Sequence, residues 1–129
     1  MENNYIKILY VDDEPINLRL FELAFQKVFD VKTAISGKEG LEILEKNRDI
    51  DMIITDFKMP VMNGLEFIKE AYKKHKDKTY FILSGYDQTP EIAEAIKNKL
   101  IKRYFMKPFI KSQLENEIRN SFNSGESNE

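Results

Sequence analysis

The stretch IDMIITDFKMPVMNG, residues Ile50 to Gly64, indicates the fold of this chain. Its apolar residues Met52, Ile53 and Ile54 lead into Asp56, and turn-forming Met-Pro and Asn-Gly pairs follow. A short apolar run bounded by turn signals is typical of a strand buried on both faces of a parallel sheet. Because functional crevices lie beyond the carboxyl ends of such strands, Asp56 is the first candidate for a reactive group.

Apolar runs and amphipathic segments alternate along the rest of the chain. Besides the run before Asp56, the predicted strands are Tyr5–Val11, Phe29–Ala34, Thr79–Leu83 and Arg103–Met106. The predicted helices are Pro15–Val28, the segment between the capping residue Ser36 and Asn47, Gly64–Tyr72, Thr89–Lys99 and Lys111–Phe122. This alternation predicts a doubly wound α/β domain with a five-stranded parallel sheet and all strand ends on one edge.

The sequence also predicts the backbone conformation of Asn98 and the solvent exposure of His75. Asn98 is expected to adopt the left-handed conformation that closes the fourth helix, because Asn tolerates that conformation. The single histidine, His75, lies in the charged run KKHKDK and is expected to be solvated.

Composition narrows the class of protein. A chain of 129 residues suits one domain with a continuous core, and the net charge of −2 favours neither a nucleic-acid surface nor a membrane surface. There is no cysteine, which excludes disulfides, thiolate zinc sites and thiol catalysis. With no signal peptide and no long apolar segment, we expect a soluble, cytoplasmic protein without membrane insertion.

Acidic and basic side chains follow the predicted strands. The first strand ends at Asp12 and Asp13, the third at Asp56, the fourth at Ser84 and the fifth at Lys107. Clustered carboxylates repel one another, so such a site either raises a pKa or binds a cation. Oxygen ligands without His or Cys suit Mg²⁺, which often bridges a protein to phosphate.

These residues also suit transfer of a phosphoryl group. A carboxylate is a nucleophile toward an activated phosphoryl group, and charge neutralisation supplies much of the catalysis. We therefore expect Asp56 to accept the phosphoryl group, Lys107 to bind one of its oxygens, and Ser84 to donate a hydrogen bond to another.

Four motifs make the sequence resemble the receiver domain of two-component response regulators. They are VDDEP at Val11–Pro15, TDFKMPVMNG at Thr55–Gly64, LSG at Leu83–Gly85 and YFMKPF at Tyr104–Phe109. The resemblance covers about Tyr5 to Phe122. It implies a flavodoxin-like (βα)5 sandwich with strand order 2-1-3-4-5, a receiver domain at residues 1–122 and a flexible polar tail at residues 123–129.

The resemblance also implies a role for individual residues. Phosphotransfer would come from a histidine kinase or a phosphotransfer protein to Asp56, and the protein would catalyse only its own phosphorylation and dephosphorylation. Mg²⁺ would be held by Asp13, Asp56 and the backbone carbonyl of Lys58, and through water by Asp12. Ser84 matches the switch hydroxyl and Lys107 the site lysine.

Further expectations from the resemblance concern switching and partners. Tyr104 matches an aromatic ring that turns inward on phosphorylation, and the Lys107–Pro108 bond is expected to be cis. Ile16 and Leu20 are candidates for exposed contacts with a kinase, and the output is expected to pass to a separate protein rather than directly to nucleic acid. Lys58 and Tyr86 are expected to shield the site from water and lengthen the lifetime of the phosphoryl group.

Other interpretations of these residues remain open. Asp12 and Asp13 also suit a turn and helix cap, Ser84 a hydroxyl bonded to backbone, and Tyr104 a half-buried strand aromatic. An aspartyl-phosphate phosphatase of the haloacid dehalogenase kind would need an acid where Lys58 stands. A flavodoxin-like cofactor module would need a Gly- or Ser-rich first loop, and a receiver that binds partners without phosphorylation is the residual case.

Overall fold

The computed structural model of the protein describes residues 5–127. Five strands and five helices alternate along it. The strands are β1 (Lys7–Val11), β2 (Asp30–Ala34), β3 (Met52–Thr55), β4 (Thr79–Ser84) and β5 (Arg103–Met106). The helices are α1 (Pro15–Phe25), α2 (Gly37–Lys46), α3 (Gly64–Lys74), α4 (Pro90–Lys97) and α5 (Lys111–Ser127).

The strands form one parallel sheet in the order β2-β1-β3-β4-β5, which confirms the predicted order. The central strands β1, β3 and β4 are almost entirely buried because helices cover both faces of the sheet. Their continuous apolar runs therefore reflect burial on two sides.

Alternate side chains of each strand enter separate halves of the core. Leu9 and Ile53 face one apolar cluster, which α2, α3 and α4 complete. Ile8 and Ile54 face the other, which α1 and α5 complete with aromatic rings such as that of Phe21. Successive side chains of a strand point to opposite faces of the sheet, so neighbouring residues of one strand enter different halves of the core.

Side-chain caps begin three of the helices, and the cap at Ser36 was predicted. The Ser36 hydroxyl accepts a hydrogen bond from the backbone N–H of Glu39, 3.1 Å away, at the start of α2. Asn63 and Glu66 form a reciprocal capping box at the start of α3. Thr89 caps α4 in the same way, through the N–H of Ile92.

Four helix ends differ from the prediction, and one of them is that of α4, which ends at Lys97 rather than Lys99. α1 ends at Phe25 rather than Val28, because the chain turns there and buries the Phe29 ring against Phe25. α3 extends past Tyr72 to Lys74, where lysines in the last turn complement the helix dipole. α5 extends past Phe122 to Ser127, because a formed helix adds residues at little cost even where Asn and Ser follow.

The left-handed residue after α4 is Lys99 and not Asn98. Lys99 has a φ angle of 67°, whereas Asn98 has a φ angle of −85°. The turn allows the backbone N–H groups of Leu100 and Ile101 to donate to the Ala95 carbonyl. The prediction for Asn98 was wrong because it relied on the preference of Asn for the left-handed conformation, whereas the helix closes one residue later, at Lys99.

His75 is buried, with 3% exposure, so the prediction of a solvated residue was also wrong. It ends α3, where its backbone N–H donates to the Ala71 carbonyl, and its own carbonyl accepts from the Tyr80 hydroxyl at 2.8 Å. Its Nε2 lies 3.5 Å from a Glu45 carboxylate oxygen. Lys73, Lys74 and Lys76 are exposed, whereas the imidazole and the Lys78 side chain, which is 7% exposed, pack inward.

None of the helices within residues 5–127 combines the length and the apolar character that crossing a membrane would require.

Candidate functional site

Backbone hydrogen bonds bring the ends of four strands together at one edge of the sheet. The N–H of Asp56 donates to the Val11 carbonyl at 2.8 Å, so the end of β3 is held beside the end of β1. The N–H of Lys107 donates to the Ser84 carbonyl at 2.8 Å, which does the same for β5 and β4. The residues after these strands thus occupy fixed positions around one crevice.

Asp12 is fully buried and accepts three hydrogen bonds. One carboxylate oxygen accepts from the Tyr10 hydroxyl at 2.7 Å and from the Lys107 ammonium at 2.8 Å. The other accepts from the backbone N–H of Glu14 at 3.0 Å. These donors offset the cost of burying a charge, and they fix the carboxylate in one orientation.

Asp56 lies at the centre of the crevice and is 8% exposed. One of its oxygens accepts from the Phe57 N–H at 2.7 Å, and the other lies 3.3 Å from the Lys107 ammonium. Burial raises the pKa of the Asp56 carboxyl above its ordinary value, Lys107 opposes that rise, and Asp12 adds to it.

The carboxylates of Asp12, Asp13 and Asp56 form one acidic cluster. One oxygen from each lies within 4.8 Å of the others, which suits shared coordination of a small divalent cation. Asp13 is less buried than the other two, so the cluster opens to solvent on its side. The oxygen-only donor set fits Mg²⁺, and Lys58 lies two residues beyond Asp56 in the loop after β3.

Ser84 and Tyr104 lie beside this cluster on β4 and β5. Ser84 is fully buried, and its hydroxyl oxygen accepts from the backbone N–H of Tyr86 at 3.2 Å. The Tyr104 ring packs against the core, and its buried hydroxyl has no hydrogen-bond partner of good geometry among residues 5–127. Burial raises the pKa of the Tyr104 hydroxyl, and the nearby Ser84 hydroxyl opposes this.

The loop after β3 passes close to the start of α3. A Cβ atom at Gly64 would lie 2.1 Å from the Asp56 carbonyl oxygen, and the Gly64 N–H donates to the Phe57 carbonyl at 2.7 Å. Only glycine fits this close approach. Gly64 therefore holds the backbone that carries Asp56.

Two longer side chains meet at the edge of the site. The Lys58 ammonium lies 4.6 Å from the centre of the Tyr86 ring, in a cation–π contact. These residues stand two positions beyond Asp56 and Ser84, in the loops that flank the crevice. The contact joins the two loops.

The structure brings the predicted residues that follow strands β1, β3, β4 and β5 to one crevice. The Lys107–Pro108 peptide bond is cis, as expected.

Sequence reasoning missed Tyr10, which it treated only as an apolar strand residue. Tyr10 stands two residues before Asp12, so both side chains lie on the same face of β1. That spacing of two was the available signal.

Comparison with known proteins identifies the family. The response regulator receiver domain family matches residues 8–119, and the chain belongs to this family. It is therefore a receiver domain of the two-component signalling class, whose members act as phosphorylation-dependent switches. Receiver domains generally bind Mg²⁺, which agrees with the acidic cluster.

Individual relatives agree with this assignment. A chemotaxis protein CheY homolog from Campylobacter jejuni is 32% identical, with 93% of this chain and 95% of the relative covered. A response regulator receiver domain protein from Clostridium thermocellum has a TM-score of 0.85 at 32% identity, with 93% and 96% covered. The chemotaxis protein CheY4 of Vibrio cholerae has a TM-score of 0.81 at 29% identity, with 90% and 98% covered.

Proposed function

We propose that Asp56 accepts a phosphoryl group from a histidine kinase or a phosphotransfer protein. The observation that carries the proposal is the position of its carboxylate, 3.3 Å from the Lys107 ammonium and in one cluster with Asp12 and Asp13. The protein then performs no reaction other than its own phosphorylation and the hydrolysis that reverses it.

In the transfer step a carboxylate oxygen of Asp56 attacks the phosphorus of a phosphohistidine. The new bond joins phosphorus to that oxygen, and the bond between phosphorus and the histidine nitrogen breaks with its electron pair leaving on the imidazole. Lys107 lies on the Asp56 side of the crevice, where its ammonium neutralises the charge that gathers on the phosphoryl oxygens.

The metal in this proposal is Mg²⁺. Asp12, Asp13, Asp56 and the backbone carbonyl of Lys58 would hold it, with Asp12 acting through water. When bound, Mg²⁺ supplies positive charge that offsets the three carboxylates and the incoming phosphoryl group.

Ser84 and Tyr104 carry the switch in this proposal. The Ser84 hydroxyl donates to a phosphoryl oxygen, which changes its hydrogen bond with the Tyr86 N–H and the space beside the Tyr104 ring. The Tyr104 ring packs against the core, but its hydroxyl has no hydrogen-bond partner of good geometry among residues 5–127 that would have to break when the ring moves. Phosphorylation thereby shifts the population of two arrangements of the face formed by α4 and β5.

The exposed face of α1 is proposed as the surface that meets the phosphodonor. Ile16 and Leu20 are 67% and 54% exposed, and they stand one helical turn apart. Leu20 and Phe109 line a cavity of about 530 Å³ that also reaches Lys107. An apolar partner surface seated here would lie beside the phosphorylation site.

The proposal also covers the location of the protein, its domain bounds and its output. We place the protein in the cytoplasm, with the receiver domain at residues 1–122. Residues 123–129 form a polar segment, in which α5 continues as far as Ser127. Its output is contact with a downstream protein rather than with nucleic acid.

The experiment that tests this function uses a small phosphodonor. The protein is incubated with Mg²⁺ and acetyl phosphate, and its intact mass is measured. We expect the mass of one added phosphoryl group in the wild type and none in Asp56→Asn. Equal phosphorylation of Asp56→Asn, or none in the wild type with Mg²⁺ present, would contradict the proposal.

A further inference from the structure

A cleft lined by lysines lies at the edge of the sheet opposite the acidic cluster. It has a volume of about 390 Å³ and lies beside the start of β4 and the residue before β5, between α3 and α4. Lys76, Lys78, Lys99 and Lys102 line it. Since the acidic cluster follows the carboxyl ends of the strands, the two sites are separated by the length of the sheet.

Most of this positive charge is not neutralised. Lys78 lies 3.7 Å from Asp77 and its ammonium donates to the Arg48 carbonyl. Within residues 5–127, the other three lysines have no carboxylate partner within 4.0 Å. No Asp or Glu of that described range lines the cleft either. An anion in the cleft could therefore pair with Lys76, Lys99 and Lys102 without displacing a carboxylate from them.

The backbone at Lys99 is a second feature of the cleft. Its φ angle of 67° lies in the left-handed region, where a side chain with a Cβ atom is disfavoured and glycine is preferred. Lys99 lines the cleft although glycine would suit this backbone conformation better. Strained backbone of this kind is concentrated at functional sites.

One wall of the cleft is aromatic. The Tyr72 and Tyr80 rings meet edge to face with centres 6.3 Å apart, and the Tyr80 hydroxyl is held by the His75 carbonyl. The Lys76 ammonium lies 5.9 Å from the centre of the Tyr72 ring. The lysines thus lie around an aromatic wall in which the Tyr80 ring is held in place, and a preorganised surface lowers the entropy cost of binding.

We propose that this cleft binds a small anion with two or more phosphate groups. Its volume falls in the range of small-ligand sites, and the three lysines that line it without a carboxylate partner among residues 5–127 match the charge of a diphosphate. A concave site favours such a ligand over a nucleic-acid strand, which binds along an extended basic surface. The diphosphate has two possible sources, free pyrophosphate and a nucleoside diphosphate.

Calorimetry with pyrophosphate and with ADP, each in chelator, tests the proposal on the whole chain. We expect both to bind, with affinity that falls as salt rises. Lys102→Gln should weaken pyrophosphate binding by about tenfold or more, because a charge-assisted hydrogen bond is lost. Tighter binding of ADP would assign a nucleotide, and equal binding would assign the phosphate groups alone.

Two further variants separate binding from folding. Lys99→Gly should weaken pyrophosphate binding without lowering the melting temperature of the free protein, because glycine suits the left-handed backbone. Lys69→Gln removes the same charge from the exposed face of α3, outside the cleft, and should leave binding unchanged.

The proposal would be overturned by either of two results. One is an absence of pyrophosphate and ADP binding to the wild type, and the other is equal binding by the wild type, Lys102→Gln and Lys99→Gly. Amide chemical shifts provide the location: changes at Lys76–Thr79 and Lys99–Lys102 support the cleft, whereas changes confined to Asp56 and Ser84 contradict it.

Discussion

An ion pair of 2.8 Å joins the Lys107 ammonium at the end of β5 to the buried Asp12 carboxylate at the end of β1, across 95 positions of sequence. The same ammonium is farther from Asp56, at 3.3 Å. One positive charge therefore faces three carboxylates, a formal sum of −2 for these four groups. The metal-free site is electrostatically strained, and Lys107 relieves that strain mainly at Asp12.

Removing one of these carboxylate charges should stabilise the metal-free protein. Asp13→Asn leaves the pairs of Lys107 intact and relieves repulsion in the cluster, so we expect a gain of about 1 kcal/mol in the free energy of unfolding. This corresponds to a rise of about 3–5 °C in melting temperature in chelator. Mg²⁺ binding, measured by titration, should weaken.

Asp49→Asn is the matched control, because it removes the same charge at the opposite edge of the sheet, where Asp49 is 69% exposed. It should leave Mg²⁺ binding unchanged. A melting temperature of Asp13→Asn that is equal to or below that of the wild type would argue against repulsion in the cluster.

The contact between Lys58 and Tyr86 should slow hydrolysis of the phosphorylated protein. Loss of either side chain opens the crevice to water, so Lys58→Gly and Tyr86→Ala should each lose the phosphoryl group about two- to fivefold faster, as the energy of an exposed cation–π contact suggests. Decay of the phosphorylated form is measured after removal of the phosphodonor.

Tyr86→Phe retains the ring and should decay as the wild type does. If the two residues act as a pair, the double variant should decay no faster than either single variant. Unchanged decay in both Lys58→Gly and Tyr86→Ala would exclude a shielding role.

Two glycines at the edge of the site should respond differently to alanine. Gly64→Ala places a methyl group against the Asp56 carbonyl oxygen and should destabilise the protein by about 2–3 kcal/mol. Gly85→Ala meets nothing within 4 Å and should be neutral or stabilising by up to about 1 kcal/mol. Denaturant unfolding of both variants gives the comparison, and equal effects would show that the loop after β3 adapts.

Protonation of His75 should destabilise the fold. Burial lowers the pKa of the imidazole, Arg48 and Lys78 lower it further, and Glu45 and Asp77 oppose them. The unfolded chain therefore binds a proton more readily than the folded protein, so this contribution to stability is complete above the ordinary His pKa of about 6.5 and is lost as the pH falls below it.

His75→Gln should accordingly show a weaker loss of melting temperature between about pH 7.5 and about pH 5.5 than the wild type. Because the chain has one histidine, its imidazole NMR signal reports this pKa without ambiguity. A pKa at or above the ordinary value would contradict the burial argument.

Local patterns predicted most of the elements, because their signals lie within a few residues of one another. The apolar run before Asp56 and the Ser36 cap are of this kind. The errors at Asn98 and His75 have a different origin. The environment of His75 depends on residues of other elements, Tyr80 and Glu45, which the local run of charges does not indicate. At Asn98 the helix closes one residue later, at Lys99, where the N–H groups of Leu100 and Ile101 donate to the Ala95 carbonyl.

The sequence by itself determined the alternation of strands and helices and the acidic, hydroxyl and lysine residues at the strand ends, because periodicity and turn chemistry are local properties. The tertiary structure alone decided that Lys107 pairs most closely with Asp12, that Tyr10 supports that carboxylate, and that lysines from separate segments surround one cleft. These relationships depend on how the sheet aligns residues that are far apart in the chain, and side-chain distances fix the energies of charged groups.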